Sequence, residues 1–235
     1  RVHGLITMAK SGRLVVEATT YVDASGDGDV VMMAGGEVIK GDVDGTLQPV
    51  SLTFRMSHVD YGAFLQWLGS HPEQFNLAEN PAIGKSAQEC ADGIVASGDP
   101  FCVLDGQRAD TILGAAIASG DMFATTAVWM WPTSTRRGEL GFNTTRLAGI
   151  DGTDSAALGT AAAVLAGQVH QVCNFMVSRL PGFDNAQLSG VAPKVGIRET
   201  RRIVGLETLA TDDVVAARKR PDGIGRGSHH VDIHG

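Results

Sequence analysis

Three short stretches carry residue types that could do chemistry. The first is Asp23-Ala24-Ser25-Gly26-Asp27-Gly28-Asp29. Gly26 and Gly28 can take φ > 0 and, lacking Cβ, let a ligand approach the backbone closely. Val30 to Ala34 suit a short apolar helix beginning at about Asp29, and Asp27 and Asp29 can cap its free N–H groups. The β-branched and aromatic run Thr19-Thr20-Tyr21-Val22 reads as a strand leading into the turn. In α/β proteins, a strand, glycine turn and helix in this order mark the place where nucleotides bind. Two carboxylates at the helix start would repel a diphosphate. The turn is therefore expected to meet ribityl or ribose hydroxyls, with phosphates held elsewhere, or simply to cap its helix with no ligand.

The second stretch is residues 194–205, where Arg198, Arg201 and Arg202 surround Glu199 inside a strand-like run. Guanidinium groups are seldom placed where they cannot be paired. The run fits either a clamp for a carboxylate or phosphate, or an Arg–Glu network tying two domains together. The third is the tail His229-His230-Val231-Asp232-Ile233-His234. As a strand it would put His230, Asp232 and His234 on one face, and two histidines with a carboxylate is a ligand set for non-haem iron. Adjacent alternate positions rarely allow facial geometry, so no metal site is assigned.

Other motifs fail on their own terms. Gly84-Lys85-Ser86 resembles the end of a phosphate loop, but Glu79 stands where the first glycine is required. Ser25 lacks the glycine of a nucleophile elbow, since Asp23 occupies that position. Asn143-Thr144-Thr145 is a glycosylation sequon only in a secreted chain.

The elements that must position these residues are legible in outline. Residues 2–9 and 14–18 flank Lys10-Ser11-Gly12-Arg13 as a hairpin. The helix after the glycine turn stops at Gly35-Gly36. Residues 49–56 alternate as a strand, Asp60 caps a helix over 60–69, and 87–96 forms another. Strands are expected at 124–131 and 139–147, joined by a turn at 132–138. Asp151-Gly152-Thr153-Asp154 offers a cap for the longest helix, 155–180, whose alanines predict a deeply buried first half, and Pro181-Gly182 ends it. Its His170 is left unassigned. A last helix runs from Thr211 to about Arg218. A domain boundary is expected between Gly36 and Gly45.

The 235 residues suffice for one large domain or two small ones, with 43% apolar and 19% charged residues, as in ordinary globular proteins. A net charge of -7 argues against a general nucleic-acid binder. Cys90, Cys102 and Cys173, widely spaced, read as reduced thiols and point to the cytoplasm. No apolar run is read as a membrane span and no signal peptide is seen. The sequence begins at Arg1 within a strand-like run and ends after an alternating stretch, so an internal fragment is expected.

Taken together, the motifs resemble those of the bacterial FAD-dependent oxidoreductases related to the fumarate reductase and glutathione reductase flavoproteins. The resemblance is carried by Asp23 to Asp29, Leu47-Gln48-Pro49, Asn143-Thr144-Thr145-Arg146, Asp151-Gly152-Thr153-Asp154, Pro181-Gly182-Phe183, Gly196 to Gly205 and Val231-Asp232-Ile233-His234, in order and at suitable spacing. Ser25 replaces the usual threonine and keeps its hydroxyl. The resemblance implies a mixed α/β, Rossmann-like two-domain FAD-binding fold with an inserted substrate domain. Residues 1–36 would end the first FAD-binding segment, 37–193 would form the substrate domain, and 194–235 would return toward the flavin. It implies FAD contacts at Ala24, Ser25, Gly26, Asp27 and Gly28, with Arg198, Arg201 and Arg202 near the flavin or substrate and Arg198 and Arg201 as catalytic candidates. It also implies hydride transfer between a small organic substrate and the flavin, with His230 or His234 as proton donor or acceptor. The G-x-G-x-x-G segment that holds the diphosphate in this family is not in the sequence, so these residues alone are expected to bind FAD weakly and to be inactive. Two other readings stay open: a non-catalytic binding or scaffold module, and a mononuclear metal protein using His230, Asp232 and His234.

Overall fold

A computed structural model describes residues 2–76 and 84–227. The chain divides into two compact units, Arg1–Gln48 with Glu199–Gly235, and Pro49–Arg198. The fold class is mixed α/β, as expected.

In the first unit, β1 (Leu5–Ala9) and β2 (Gly12–Val16) form the expected antiparallel hairpin, pairing Leu5 with Val16 and Ala9 with Gly12. Gly12 takes φ +108° to close it. The run Thr19 to Val22 is not a strand. It has no ladder partner, and Val22 is 85% exposed, so its β propensity goes unused. Helix α1 (Asp29–Met33) follows the glycine turn and stops at Gly35-Gly36 as expected, where Gly36 N–H bonds the Val31 carbonyl at 2.9 Å. A Cβ on Gly36 would stand 2.5 Å from Val31 Cγ1, so only glycine fits.

Strand β3 (Val38–Lys40) pairs antiparallel with β9 (Arg201–Ile203), a partner far along the sequence. The predicted strand over 194–205 is thereby divided. Gly196 bridges Ser51 in the second unit, whereas only Arg201 to Ile203 form a ladder in the first. Helix α6 (Thr211–Val215) is capped by Asp213, which accepts from Ala210 N–H at 3.1 Å and pairs with Arg218 at 2.7 Å.

The second unit is built on an antiparallel five-stranded sheet in the order β5-β6-β7-β4-β8: β4 (Phe54–Ser57), β5 (Cys102–Asp105), β6 (Ala127–Ser134), β7 (Glu139–Asn143) and β8 (Gln187–Val191). Period-2 alternation puts Phe54, Met56, Leu104, Met130, Leu140 and Phe142 in the core, each at most 2% exposed. Phe54 and Phe142 stack at 4.8 Å. The opposite face carries Trp129, Trp131 and Asn143. Gly141 lets Trp131 lie close, since a Cβ there would be 2.6 Å from the indole ring.

Helix α2 (Tyr61–Ser70) is capped by Asp60, whose Oδ1 accepts from Ala63 N–H at 3.1 Å. Helix α3 (Ala87–Ser97) begins with the Ser86–Glu89 capping box. Helix α4 (Ile112–Ala118), β5 and β8 were not anticipated, their patterns being too short or too interrupted for periodicity to show.

Helix α5 (Ser155–Arg179) matches its predicted extent, with Asp154 Oδ1 accepting from Ala156 and Ala157 N–H. Its first half is not deeply buried. Only the stripe Ala161, Leu165, Val169, Val172, Phe175 and Met176 enters the core, while Ala156, Ala163, Ala166 and His170 are exposed. By length and composition alone α5 could cross a membrane, yet its stripe joins the sheet in one core, as in a core helix. Cys90, Cys102 and Cys173 are free thiols. Burial raises the pKa of Cys102 strongly and that of Cys173 to about 11, so neither is a poised nucleophile.

Candidate functional site

The glycine turn is held by its own side chains in an arrangement opposite to the one expected. Asp27 and Asp29 do not cap α1. Asp23 and Ser25 do: Ser25 Oγ accepts from Asp27 N–H at 3.3 Å and from Asp29 N–H at 3.1 Å, and Asp23 Oδ2 accepts from Val31 N–H at 3.0 Å. Ser25 donates its hydroxyl to Asp23 Oδ1 at 2.7 Å, which also receives Ser25 N–H at 3.1 Å. These bonds, that from the Ser25 hydroxyl foremost, hold the Asp23 carboxyl below its ordinary value. A threonine would supply the same hydroxyl, which explains why serine is tolerated at this position.

Asp27 and Asp29 are engaged from the other end of the unit. Thr200 donates to Asp27 Oδ1 at 2.6 Å, and Arg201 pairs with Asp29 Oδ1 at 2.6 Å while reaching the Asp27 carbonyl at 3.4 Å. The repulsion expected between two bare carboxylates and an anionic ligand is therefore reduced by the chain itself. What the turn leaves exposed is Ala24, Ser25 and Gly26. Gly26 has φ +81° and open space where a Cβ would project. Such a backbone edge, glycine-lined with its acids satisfied, suits close approach by a cofactor. Beside it an open groove of about 330 Å³ runs along α1, lined by Tyr21, Asp23, Val30, Val31 and Ala34.

The arginines have distinct surroundings. Arg202 bonds Glu199 and the Gly41 carbonyl, and Glu199 Oε2 also accepts from Gln48 N–H at 3.3 Å, all within the first unit. The Arg–Glu network of the sequence reading thus exists inside one unit. Arg201, with only 12% of its side chain exposed, is committed to the turn. Arg198 is exposed and makes a long 3.5 Å bond to Asn143 Oδ1 in the second unit.

The two residues that close the 143–146 motif are tied to neighbouring segments of the second unit. The Thr145 hydroxyl accepts from Leu52 N–H at 2.7 Å and donates to the Leu52 carbonyl at 3.0 Å, and the Gln168 amide brackets both backbone groups of Arg146. The signal was Thr145, present in the sequence both within a sequon and within the Asn143-Thr144-Thr145-Arg146 motif, but without a role assigned to it. His230, Asp232 and His234 lie outside the described residues. Among the described residues no group of three His, Cys, Asp or Glu side chains is placed to hold a metal.

Comparison with protein families places the chain among the flavoproteins. Residues 1–235 match the FAD dependent oxidoreductases throughout, and the chain belongs to that family. Its cofactor is FAD. No curated protein and no solved structure gave a significant match.

Proposed function

We propose that the protein transfers a hydride between a small organic substrate and FAD held against the Ala24–Gly28 turn. The observation that carries this reading is the exposed Ala24-Ser25-Gly26 edge, whose neighbouring acids are satisfied by Thr200 and Arg201. FAD supplies a two-electron acceptor at flavin N5. The chain supplies orientation. Ala24, Ser25 and Gly26 present backbone to the cofactor, half-buried Asp27 and buried Gly28 shape the turn behind them, and the second unit acts as the substrate unit. Arg198, the least engaged of the three arginines, binds and orients an anionic group of the substrate. His230 or His234 moves the proton, since imidazole titrates near neutrality.

The test is direct. The complete protein should be yellow, and denaturation should release FAD; a colourless preparation that takes up no added FAD ends this reading. Arg198→Ala should raise KM for an anionic substrate by about 10- to 100-fold, the worth of a hydrogen bond to a charged group. An unchanged KM removes Arg198 from the site.

A further inference from the structure

Contacts from one short segment converge on the glycine turn. Thr200 and Arg201 bond Asp27 and Asp29, and Ile203 Cγ1 stands 3.1 Å from where a Cβ on Gly28 would sit. Thr200 is 3% exposed and the Arg201 side chain 12%, while the Asp29 side chain is 46% exposed, so the fastening is sheltered on the β9 side and open to water on the turn side. The turn needs such support. Helix α1 has five residues, too few to persist alone, and its N-cap residue, Gly28 in the left-handed region, has no side chain of its own to cap it. Asp23 and Ser25 organise the turn locally, but their bonds do not tie it to the rest of the unit. That tie comes from β9 and the residue before it.

Resting on the flavin reading above, we propose that Thr200 and Arg201 are positioning residues that hold the Gly26–Gly28 backbone in its cofactor-binding shape. Without Arg201 the Asp29 carboxylate loses its partner, and glycine-rich backbone regains conformational freedom that FAD must then remove. The pair thus acts through Asp27 and Asp29 rather than on the cofactor or substrate.

The experiment uses the complete protein and the variants Arg201→Ala, Arg201→Lys and Thr200→Val. Hydrogen exchange over residues 23–33 is measured without FAD, and the Kd for FAD by quenching of flavin fluorescence. Arg201→Ala should speed exchange over this stretch and weaken FAD binding, each about 10-fold or more, the scale of one charge-assisted bond. Arg201→Lys should recover most of both, because it restores the charge opposite Asp29, and Thr200→Val should fall between. Tryptophan fluorescence reports the second unit, where Trp67, Trp129 and Trp131 all lie, and should not change. Unchanged exchange in Arg201→Ala overturns the proposal, as does an unchanged Kd or a lysine variant no better than alanine. A wild-type protein that takes up no FAD instead overturns the flavin reading, and the exchange data then separately decide whether the fastening exists.

Discussion

Asp23 shows how one side chain can set a local structure that its neighbours were better placed, by spacing, to set. Its carboxylate receives the Ser25 hydroxyl and the Val31 N–H, and its pKa is lowered from 3.8 chiefly by the former. A lowered folded value means that the stabilisation is complete above the ordinary aspartate range and is lost as pH falls through the folded value. Protection of the Val31 amide should accordingly be flat at neutral pH and decline only in acid. Asp23→Asn, which replaces the Val31 acceptor by an amide nitrogen, should show lower protection with no acid step. A decline of equal size in that variant would assign the effect to another group. Sequence reading located this turn but reversed its wiring. Spacing favoured Asp27 and Asp29 as caps, and nothing local in the sequence announced that Thr200 and Arg201 would engage both.

At the scale of elements, the sheet of the second unit contains two bulges with a shared purpose. The registers of β6 against β7 and of β8 against β4 each skip a residue, Thr133 in one and Ser189 in the other. Both extra residues turn a hydroxyl toward Glu139: Thr133 at 2.9 Å and Ser189 at 3.3 Å, with Arg55 at 3.2 Å. Glu139 is 5% exposed, and its pKa is lowered, most by the Thr133 hydroxyl. Glu139→Ala should destabilise this unit by about 0.5–1.5 kcal/mol, the net worth of hydrogen bonds whose partners Arg55, Thr133 and Ser189 are themselves exposed to water, measured by urea unfolding followed by tryptophan emission. Phe142→Ala, which removes a ring stacked on Phe54, should cost about 3–5 kcal/mol in the same assay. Asp154→Ala should cost about 0.5–2 kcal/mol through the lost cap of α5. The long helix and its cap were plain in the sequence because 3.6-residue periodicity accumulates over many turns. Strands β5 and β8 were not, since a few residues broken by glycine or proline give alternation no room. Alanine content misled for α5: small residues permit close packing without requiring it, and only one stripe meets the core.

For the molecule as a whole, the family was legible because its motifs are spread in order along the chain, although each is short. The pairing of β3 with β9 was not legible. It joins stretches on either side of the second unit, and no local pattern encodes a partner so distant. The division into units also predicts separable responses. Arg201 lies in one unit and every tryptophan in the other, so Arg201→Ala should leave the tryptophan-monitored unfolding free energy within about 0.5 kcal/mol of wild type. A larger shift would mean that the two units unfold together.

The bond between Arg201 and Asp29 spans 172 positions. At translation rates of about 5–20 residues per second, Asp29 is synthesised roughly 10–35 s before its partner. The whole second unit is synthesised in that interval and can fold while the glycine turn still waits. A truncated nascent chain therefore carries an unfastened turn, and on the positioning proposal above its hold on flavin would tighten only once the ribosome has passed residue 201.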